Sequence, residues 1–203
     1  MKTILVTAFE PFGGDGINPT ELILSRLPGE LEGAHISKLL LPVEFMRAPE
    51  LALKEIGRLS PAAVIMLGQA GGRSAVTPET TAYNLMEARI PDNAGYEPHA
   101  TEAAPGGEAE IPASLPAERI VEAIRALGLP AELSHDPGRY VCNALMYSVL
   151  RSLRGSIPAG FIHVPFIREQ TEGVKGRGKT PFMELDDICR AILEAISVTA
   201  RLI

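Results

Sequence analysis

The stretch AAVIMLGQA, residues 62–70, decides the fold of this chain. It is a nearly continuous apolar run, which is typical of a central parallel strand that is buried on both faces. Three further apolar runs favour strands in the same way: KTILVTAF (2–9), HISKLLLPV (35–43) and AGFIHVPFI (159–167). We therefore expect these four segments to be strands of one sheet.

Helical patterns lie between the predicted strands. Asn18 is expected to cap a first helix that has Pro19 at its first position. Residues 45–59 are predicted to be mostly helical, residues 115–128 form an amphipathic pattern, and a last helix is expected over 182–201. Strands that alternate with helices predict an α/β fold, a three-layer α/β/α sandwich.

The remaining segments predict less regular structure. Residues 80–90 are compatible with an extended, antiparallel stretch, and residues 131–136 (AELSHD) indicate a short strand. Residues 91–114 are rich in Pro, Gly, Ala and Glu, which predicts a long and partly mobile loop. A polar, glycine-rich loop is expected over 169–181. Because no repeat or linker interrupts this order, residues 1–203 are expected to form a single domain.

Composition narrows the class of protein. Of the 203 residues, 46% are hydrophobic, which is enough for a substantial core. The net charge of −6 argues against a nucleic-acid partner or an anionic membrane surface, because both usually bind a basic face. Two widely spaced cysteines do not make a disulfide framework, and a reducing cytosol is the simplest setting for them.

The N-terminal stretch lacks the character of a signal peptide. Glu10 and Pro11 end its apolar run early, and no small-residue cleavage pattern follows. No apolar run approaches the roughly 20 residues that span a bilayer. We therefore expect a soluble, cytoplasmic protein without a membrane partner.

In GRYVCNALMYSVLRSL, residues 138–153, a cysteine lies where an aromatic and β-branched run ends and a helical pattern begins. Cys142 is expected in the first turn of a helix, where unpaired N–H groups and the helix dipole favour the thiolate. The same N–H groups would stabilise an oxyanion on an attacked carbonyl. The alternative is that Cys142 is a small buried hydrophobic residue, which is the commoner role of a free cysteine.

A nucleophilic cysteine needs a base, and His163 is the best candidate among four histidines. It is the polar residue of an apolar strand, where an imidazole is costly unless it has partners. A core histidine bonded to a backbone carbonyl is the alternative. An acid that orients the imidazole would complete the set, and the residues alone leave Glu79 and Glu10 as competing choices, because each follows a strand.

Other kinds of site receive little support. The glycines of GQAGGR (68–73) fit neither a Walker loop nor a dinucleotide fingerprint, so a tight turn with exposed backbone groups is the safer account. No group of His, Cys, Asp and Glu has metal-ligand spacing, so we expect no metal.

The chain resembles the pyroglutamyl peptidase I family, also called pyrrolidone-carboxylate peptidases. The resemblance covers nearly the whole chain in six blocks, which occur in the family's order. The blocks are VTAFEPFGGDGINPT (6–20), LPVEF (41–45), GQAGGRSAVTPETTAYN (68–84), ARIPDN (88–93), GRYVCNALMY (138–147) and GFIHVPFI (160–167).

This resemblance implies a cytosolic cysteine peptidase with Cys142 as nucleophile, His163 as base and Glu79 as the acid that orients it. It implies a central mixed, mostly parallel sheet between the helical layers, no cofactor, and a homotetramer. The substrates implied are peptides with N-terminal pyroglutamate. Arg89 is the family residue that assists the Cys142 backbone N–H at the oxyanion.

Four residues are expected to bind the pyroglutamyl ring. Phe9 and Phe12 flank the end of the first strand and would enclose the ring faces, although core packing is their ordinary role. By resemblance, the Gln69 backbone and the Asn18 side chain would bond the lactam, and Asn18 is also explained by helix capping alone.

Two other classes of protein stay open at this point. One is a nucleoside- or phosphate-binding enzyme on a similar scaffold, which would not need Cys142. The other is a non-catalytic small-molecule binding protein. Cys189, near the apolar stripe of the last predicted helix, is expected to serve core or subunit packing.

Overall fold

A computed structural model describes residues 1–172 and 174–203, and apolar strands build its centre. The strands are β1 (Thr3–Phe9), β2 (Glu30–Leu31), β3 (Ala34–Leu41), β4 (Ala63–Gln69), β5 (Thr77–Pro78), β6 (Thr81–Tyr83), β7 (Glu110–Pro112) and β8 (Ala159–Val164). The helices are α1 (Pro19–Arg26), α2 (Arg47–Leu59), α3 (Ala117–Ala126), α4 (Val141–Leu153) and α5 (Leu185–Ala200).

Six strands form the central sheet, in the order β2-β3-β1-β4-β8-β5. The four inner strands β3, β1, β4 and β8 are parallel, whereas β2 and β5 pair antiparallel at the two edges. β6 and β7 form a separate antiparallel pair. The predicted mixed, mostly parallel sheet is confirmed, and the stretch 62–70 supplies the strand next to its centre.

Helices cover both faces of the sheet because its inner strands are apolar on both. On β1, Ile4 and Val6 face a core shared with α1, α3 and α5. Leu5 and Phe9 face a second core, which α2 and α4 close. Burying one aliphatic side chain of this kind contributes roughly 1.5–3 kcal/mol, so the two cores hold the three layers together. The predicted three-layer arrangement is confirmed.

The helices begin and end close to their expected positions. Asn18 caps α1 by accepting the Thr20 N–H, with Pro19 in the first turn, as expected. α5 begins at Leu185 rather than at 182, and α3 spans Ala117–Ala126 rather than 115–128. None of the helices in the described part of the chain is long and apolar enough to cross a membrane.

Residues 131–136 do not form the predicted strand. The segment runs beside residues 76–80, but it makes only two isolated bridges, Ala131 with Val76 and Ser134 with Glu79. Pro78 lies between these bridges and has no N–H to donate, so the ladder is interrupted there.

The other irregular segments hold more structure than expected. β6 within residues 80–90 is extended and antiparallel, as expected, but its partner β7 lies inside the predicted loop 91–114. Of the predicted loop 169–181, residue 173 lies outside the described residues. Its start completes a short 3₁₀ turn, Arg168–Gln170.

Candidate active site

Three of the predicted site residues lie at the carboxyl ends of the parallel strands, where α/β sheets ordinarily bind ligands. Phe9 is the last residue of β1, Gln69 the last of β4, and His163 the last but one of β8. In the β4–β8 ladder, His163 is paired directly with Gly68.

Cys142 is placed beside this ladder by the start of α4. It is the second residue of the helix and is half-buried. Its Sγ atom lies 3.0 Å from the point that a Cβ on Gly68 would occupy, and the Phe161 ring would be only 2.5 Å from that Cβ. Only a glycine therefore fits at 68, and this close approach sets the thiol against the strand residue that pairs with His163.

His163 is buried and has the partner that its place in an apolar strand demands. Its Nδ1 atom lies 2.7 Å from Oε1 of Glu79. A carboxylate accepts, so Nδ1 carries the proton and Nε2 is left as the basic nitrogen. Burial lowers the pKa of His163, against the opposing effect of Glu79, so the ring is held neutral and able to accept a proton.

Glu79 is the acid that contacts the histidine. Its Oε1 also accepts a hydrogen bond from Nη1 of Arg73 at 2.7 Å. Burial favours the protonated form, but the hydrogen bond from His163 and the charge of Arg73 outweigh it, so the pKa of Glu79 is lowered. Glu10, the competing choice, is exposed at the end of β1.

The thiol of Cys142 is neutral in this structure. Burial and the Glu79 charge raise its pKa to about 12, although its own backbone N–H and Arg73 act in the other direction. The backbone N–H at the helix start does favour the thiolate, as expected, but desolvation is the larger effect. Attack by this sulfur requires a base to remove its proton.

A narrow cavity opens beside Cys142, and the four predicted ring-binding residues all line it: Phe9, Phe12, Asn18 and Gln69. Val43, Tyr140 and Val141 complete the wall and were not singled out from the sequence, although all three lie within or beside the quoted motifs. The volume open to the centre of a water molecule is only about 10 Å³, so the cavity has room for about one water. A ring-sized ligand therefore requires side chains to move, and the Phe12 and Tyr140 rings, 6.0 Å apart, are half-buried.

Asn18 already has a complete capping role. Its Oδ1 accepts hydrogen bonds from the Thr20 N–H at 3.0 Å and the Thr20 hydroxyl at 2.8 Å. Its Nδ2 donates to the Glu10 carbonyl at 2.9 Å, and the Thr20 hydroxyl accepts from the Phe9 N–H. Asn18 thus fixes the end of β1 and retains one N–H of its amide for another acceptor.

Gln170 is a buried residue of this region that the sequence did not reveal. Its Nε2 donates to Oε1 of Gln69 at 2.8 Å and to the Ile17 carbonyl at 3.2 Å. Its Oε1 accepts from the Ile167 N–H. Because both ends of its amide are engaged, Gln170 fixes the direction of the Gln69 side chain.

Arg89 is not brought into the cavity with Cys142. It is exposed and lines a larger neighbouring cavity, which shares Phe12 and Tyr140 with the first. Arg139 lines the same neighbouring cavity, where it pairs with Asp136 at 2.6 Å and covers the Tyr83 ring at 4.0 Å.

The second cysteine and the other histidines do not line the cavity beside Cys142. His99 pairs with Glu87 and His135 bonds Thr80, both at exposed positions. Cys189 packs against the core from α5, and both cysteines are free thiols. Among the described residues, no group of three or more His, Cys, Asp or Glu could hold a metal ion.

Comparison with known proteins relates this geometry to one family. The family model described as pyroglutamyl peptidase matches residues 2–202. Pyrrolidone-carboxylate peptidase 1 of Caldanaerobacter subterraneus subsp. tengcongensis is 43% identical over 201 residues, which is 98% of each chain. The pyrrolidone-carboxylate peptidase of Lactobacillus johnsonii is 45% identical over 197 residues, 96% of this chain and 90% of that one.

Solved structures agree in fold and length. The crystal structure of pyroglutamyl peptidase I from Bacillus amyloliquefaciens superposes with a TM-score of 0.93 at 39% identity, covering 98% of this chain and 95% of that one. Pyrrolidone carboxyl peptidase from Thermococcus litoralis gives a TM-score of 0.93 at 36% identity, covering 99% and 94%. The sequence blocks, the family model and the fold agree along the whole length, and the chain belongs to the pyroglutamyl peptidase family.

Proposed function

We propose that this protein is a cysteine peptidase that removes N-terminal pyroglutamate from peptides through an acyl-thioester. The observation that carries the proposal is the buried His163–Glu79 pair. His163 is the strand residue paired with Gly68, and the Cys142 sulfur packs against Gly68. Cys142 lines the cavity together with Phe9 and Phe12. A base, its orienting acid and a nucleophile are the parts that acyl transfer needs.

The first half of the reaction forms the thioester. Nε2 of His163 takes the Cys142 proton as the sulfur attacks the pyroglutamyl carbonyl carbon. The oxyanion accepts a hydrogen bond from the Cys142 backbone N–H. Arg89, which lines the neighbouring cavity, is the second oxyanion residue that the family resemblance implies. His163 then gives its proton to the peptide nitrogen, the C–N bond breaks, and the shortened peptide leaves as an amine.

The second half restores the enzyme. His163 takes a proton from water, and the resulting hydroxide attacks the thioester carbon. The C–S bond breaks, the sulfur regains its proton from His163, and pyroglutamate leaves. Every proton in this sequence moves through one imidazole, and no step uses a cofactor or a metal.

The cavity explains the choice of an uncharged ring. Phe9 and Phe12 enclose a flat lactam, and no acid is needed because pyroglutamate has no ammonium group. The lactam bonds the Gln69 backbone and the remaining amide N–H of Asn18. Proline lacks the ring carbonyl, so it would leave buried polar groups unpaired and be rejected.

The test compares pyroglutamyl-β-naphthylamide with its prolyl and alanyl analogues. Only the pyroglutamyl compound should release naphthylamine. Release from all three at similar rates, or from none, would overturn the proposed function.

The family resemblance supports three further predictions: a homotetramer, a cytoplasmic setting and a single domain over 1–203. Sedimentation equilibrium tests the first of these. It should give four times the mass of one chain, and a monomer would refute the tetramer.

A further inference from the structure

Arg73 is the one charged side chain of the GQAGGR turn, and it points back into the active site. Its guanidinium donates from Nη1 to Oε1 of Glu79 at 2.7 Å and to the Thr77 hydroxyl. From Nη2 it donates to the Asp136 carbonyl at 2.9 Å. Its side chain is 24% exposed, whereas that of Glu79 is fully buried.

The glycines of the turn explain how Arg73 reaches this place. A Cβ on Gly71 would lie 2.3 Å from the Phe166 ring, and Gly72 has a φ of +92°, which disfavours any side chain. The turn therefore folds tightly over the end of β4. The glycine-rich turn, which fits no nucleotide-binding motif, serves here to direct an arginine toward a carboxylate.

A single oxygen atom joins the arginine to the catalytic pair. Oε1 of Glu79 accepts from Nδ1 of His163 and from Nη1 of Arg73, each at 2.7 Å. The charged groups that act on His163 are Glu79, Arg73 and Asp136, and those that act on Cys142 are Glu79 and Arg73. Arg73 is the positive member of both sets.

We propose that Arg73 is a positioning residue of the active site, which holds Glu79 against His163 through the shared Oε1 atom. The effect of Arg73 on catalysis rests on the peptidase function proposed above. Arg139, which is close in sequence to Cys142, has no such role, because its guanidinium pairs with Asp136 and covers Tyr83.

The direction of the effect follows from charge. Arg73 lowers the pKa of both His163 and Cys142. Without this charge both pKa values rise. His163 and the Cys142 thiol therefore keep their protons up to a higher pH. The acidic limb of the pH profile therefore moves upward whether it reports the base or the thiol.

The experiment compares Arg73→Gln, Arg73→Lys and Arg139→Gln in the full chain. Arg73→Gln removes the charge but keeps an N–H donor, Arg73→Lys keeps the charge, and Arg139→Gln is the matched control. Arg73→Gln should raise the acidic midpoint of kcat/KM by about one pH unit and lower kcat/KM at pH 7 by about two- to threefold. Arg73→Lys and Arg139→Gln should leave the midpoint in place.

A second readout does not depend on peptide hydrolysis. The pH dependence of iodoacetamide alkylation at Cys142, followed by mass spectrometry of its peptide, should shift upward in Arg73→Gln and not in Arg139→Gln. If the wild type fails to cleave pyroglutamyl substrates, the proposed function fails, and this shift still decides the role of Arg73.

Three results would overturn the inference. They are superimposable profiles for Arg73→Gln and wild type, an equal shift in Arg139→Gln, or a shift in Arg73→Lys as large as in Arg73→Gln. Should Arg73→Gln fail to fold, Arg73→Met replaces it, because it removes the same charge. A midpoint raised by about half a unit or more in Arg73→Met supports the inference, and an unmoved midpoint contradicts it.

Discussion

Nδ1 of His163 lies 2.7 Å from Oε1 of Glu79, although 84 residues separate them in the chain. The contact forms because β5 turns back antiparallel to β8, which pairs Thr77 with His163 and leaves Glu79 just beyond the strand end. A buried carboxylate that meets a buried imidazole fixes both the tautomer and the direction of the ring. The short edge strand β5 is therefore what brings the proposed catalytic pair together.

Acidification should destabilise the fold through this pair. The pKa of His163 is lowered from 6.5 and that of Glu79 from 4.5, so the unfolded chain binds more protons than the folded one as pH falls through these values. Stability is therefore fully present above about pH 6.5 and decreases below it, then decreases further below about pH 4.5. Urea unfolding at a series of pH values checks this. His163→Gln should flatten the upper part of the curve, and an unchanged slope would contradict the account.

A methyl group at Gly68 should damage both fold and activity. The added Cβ would meet the Phe161 ring at 2.5 Å and the Cys142 sulfur at 3.0 Å, and Phe161 is fully buried and cannot move aside. Overpacking of this kind costs roughly 1–3 kcal/mol. Thermal unfolding and kcat on a pyroglutamyl-arylamide measure the two effects.

Gly57→Ala is the matched control for that substitution. Gly57 lies inside α2 and has open space around its Cβ position. Alanine there should stabilise the protein by roughly 0.5–1 kcal/mol and leave kcat unchanged. If both alanine variants behaved alike, the close approach at Gly68 would not be what positions the thiol.

Substitutions of Asn18 separate helix capping from substrate binding. Asn18→Ala should cost about 1 kcal/mol of stability, because the cap of α1 is lost. Asn18→Ser keeps a capping oxygen but has no amide to offer the lactam, so it should retain most of the stability and raise KM several-fold. An unchanged KM in Asn18→Ser would mean that Asn18 is a cap alone.

The sequence predicts the layers of this protein well, because they follow from local pattern. The apolar runs at 2–9, 62–70 and 159–167 identify inner strands, and Asn18 with Pro19 identifies the start of α1. The strand expected over 131–136 fails because its neighbour Pro78 lacks one donor, which the segment's own composition does not reveal.

The site is less predictable because its contacts join distant segments. A histidine in an apolar strand indicates that a partner exists, but the residues alone did not choose between Glu79 and Glu10, and the family resemblance was needed to favour Glu79. Gln170 and Arg73 act through contacts with Gln69 and Glu79 that no local pattern encodes. The raised pKa of Cys142 depends on burial, whereas the sequence shows only the helix start.

The most direct test of the central claim is the activity of Cys142→Ala on pyroglutamyl-β-naphthylamide, with Cys189→Ala as the control cysteine. Cys189 packs on α5, away from the cavity, so its variant should keep near wild-type kcat/KM. Cys142→Ala should lose at least about 10³-fold in kcat and unfold at a temperature close to that of the wild type. Substantial hydrolysis by a folded Cys142→Ala protein would contradict the account.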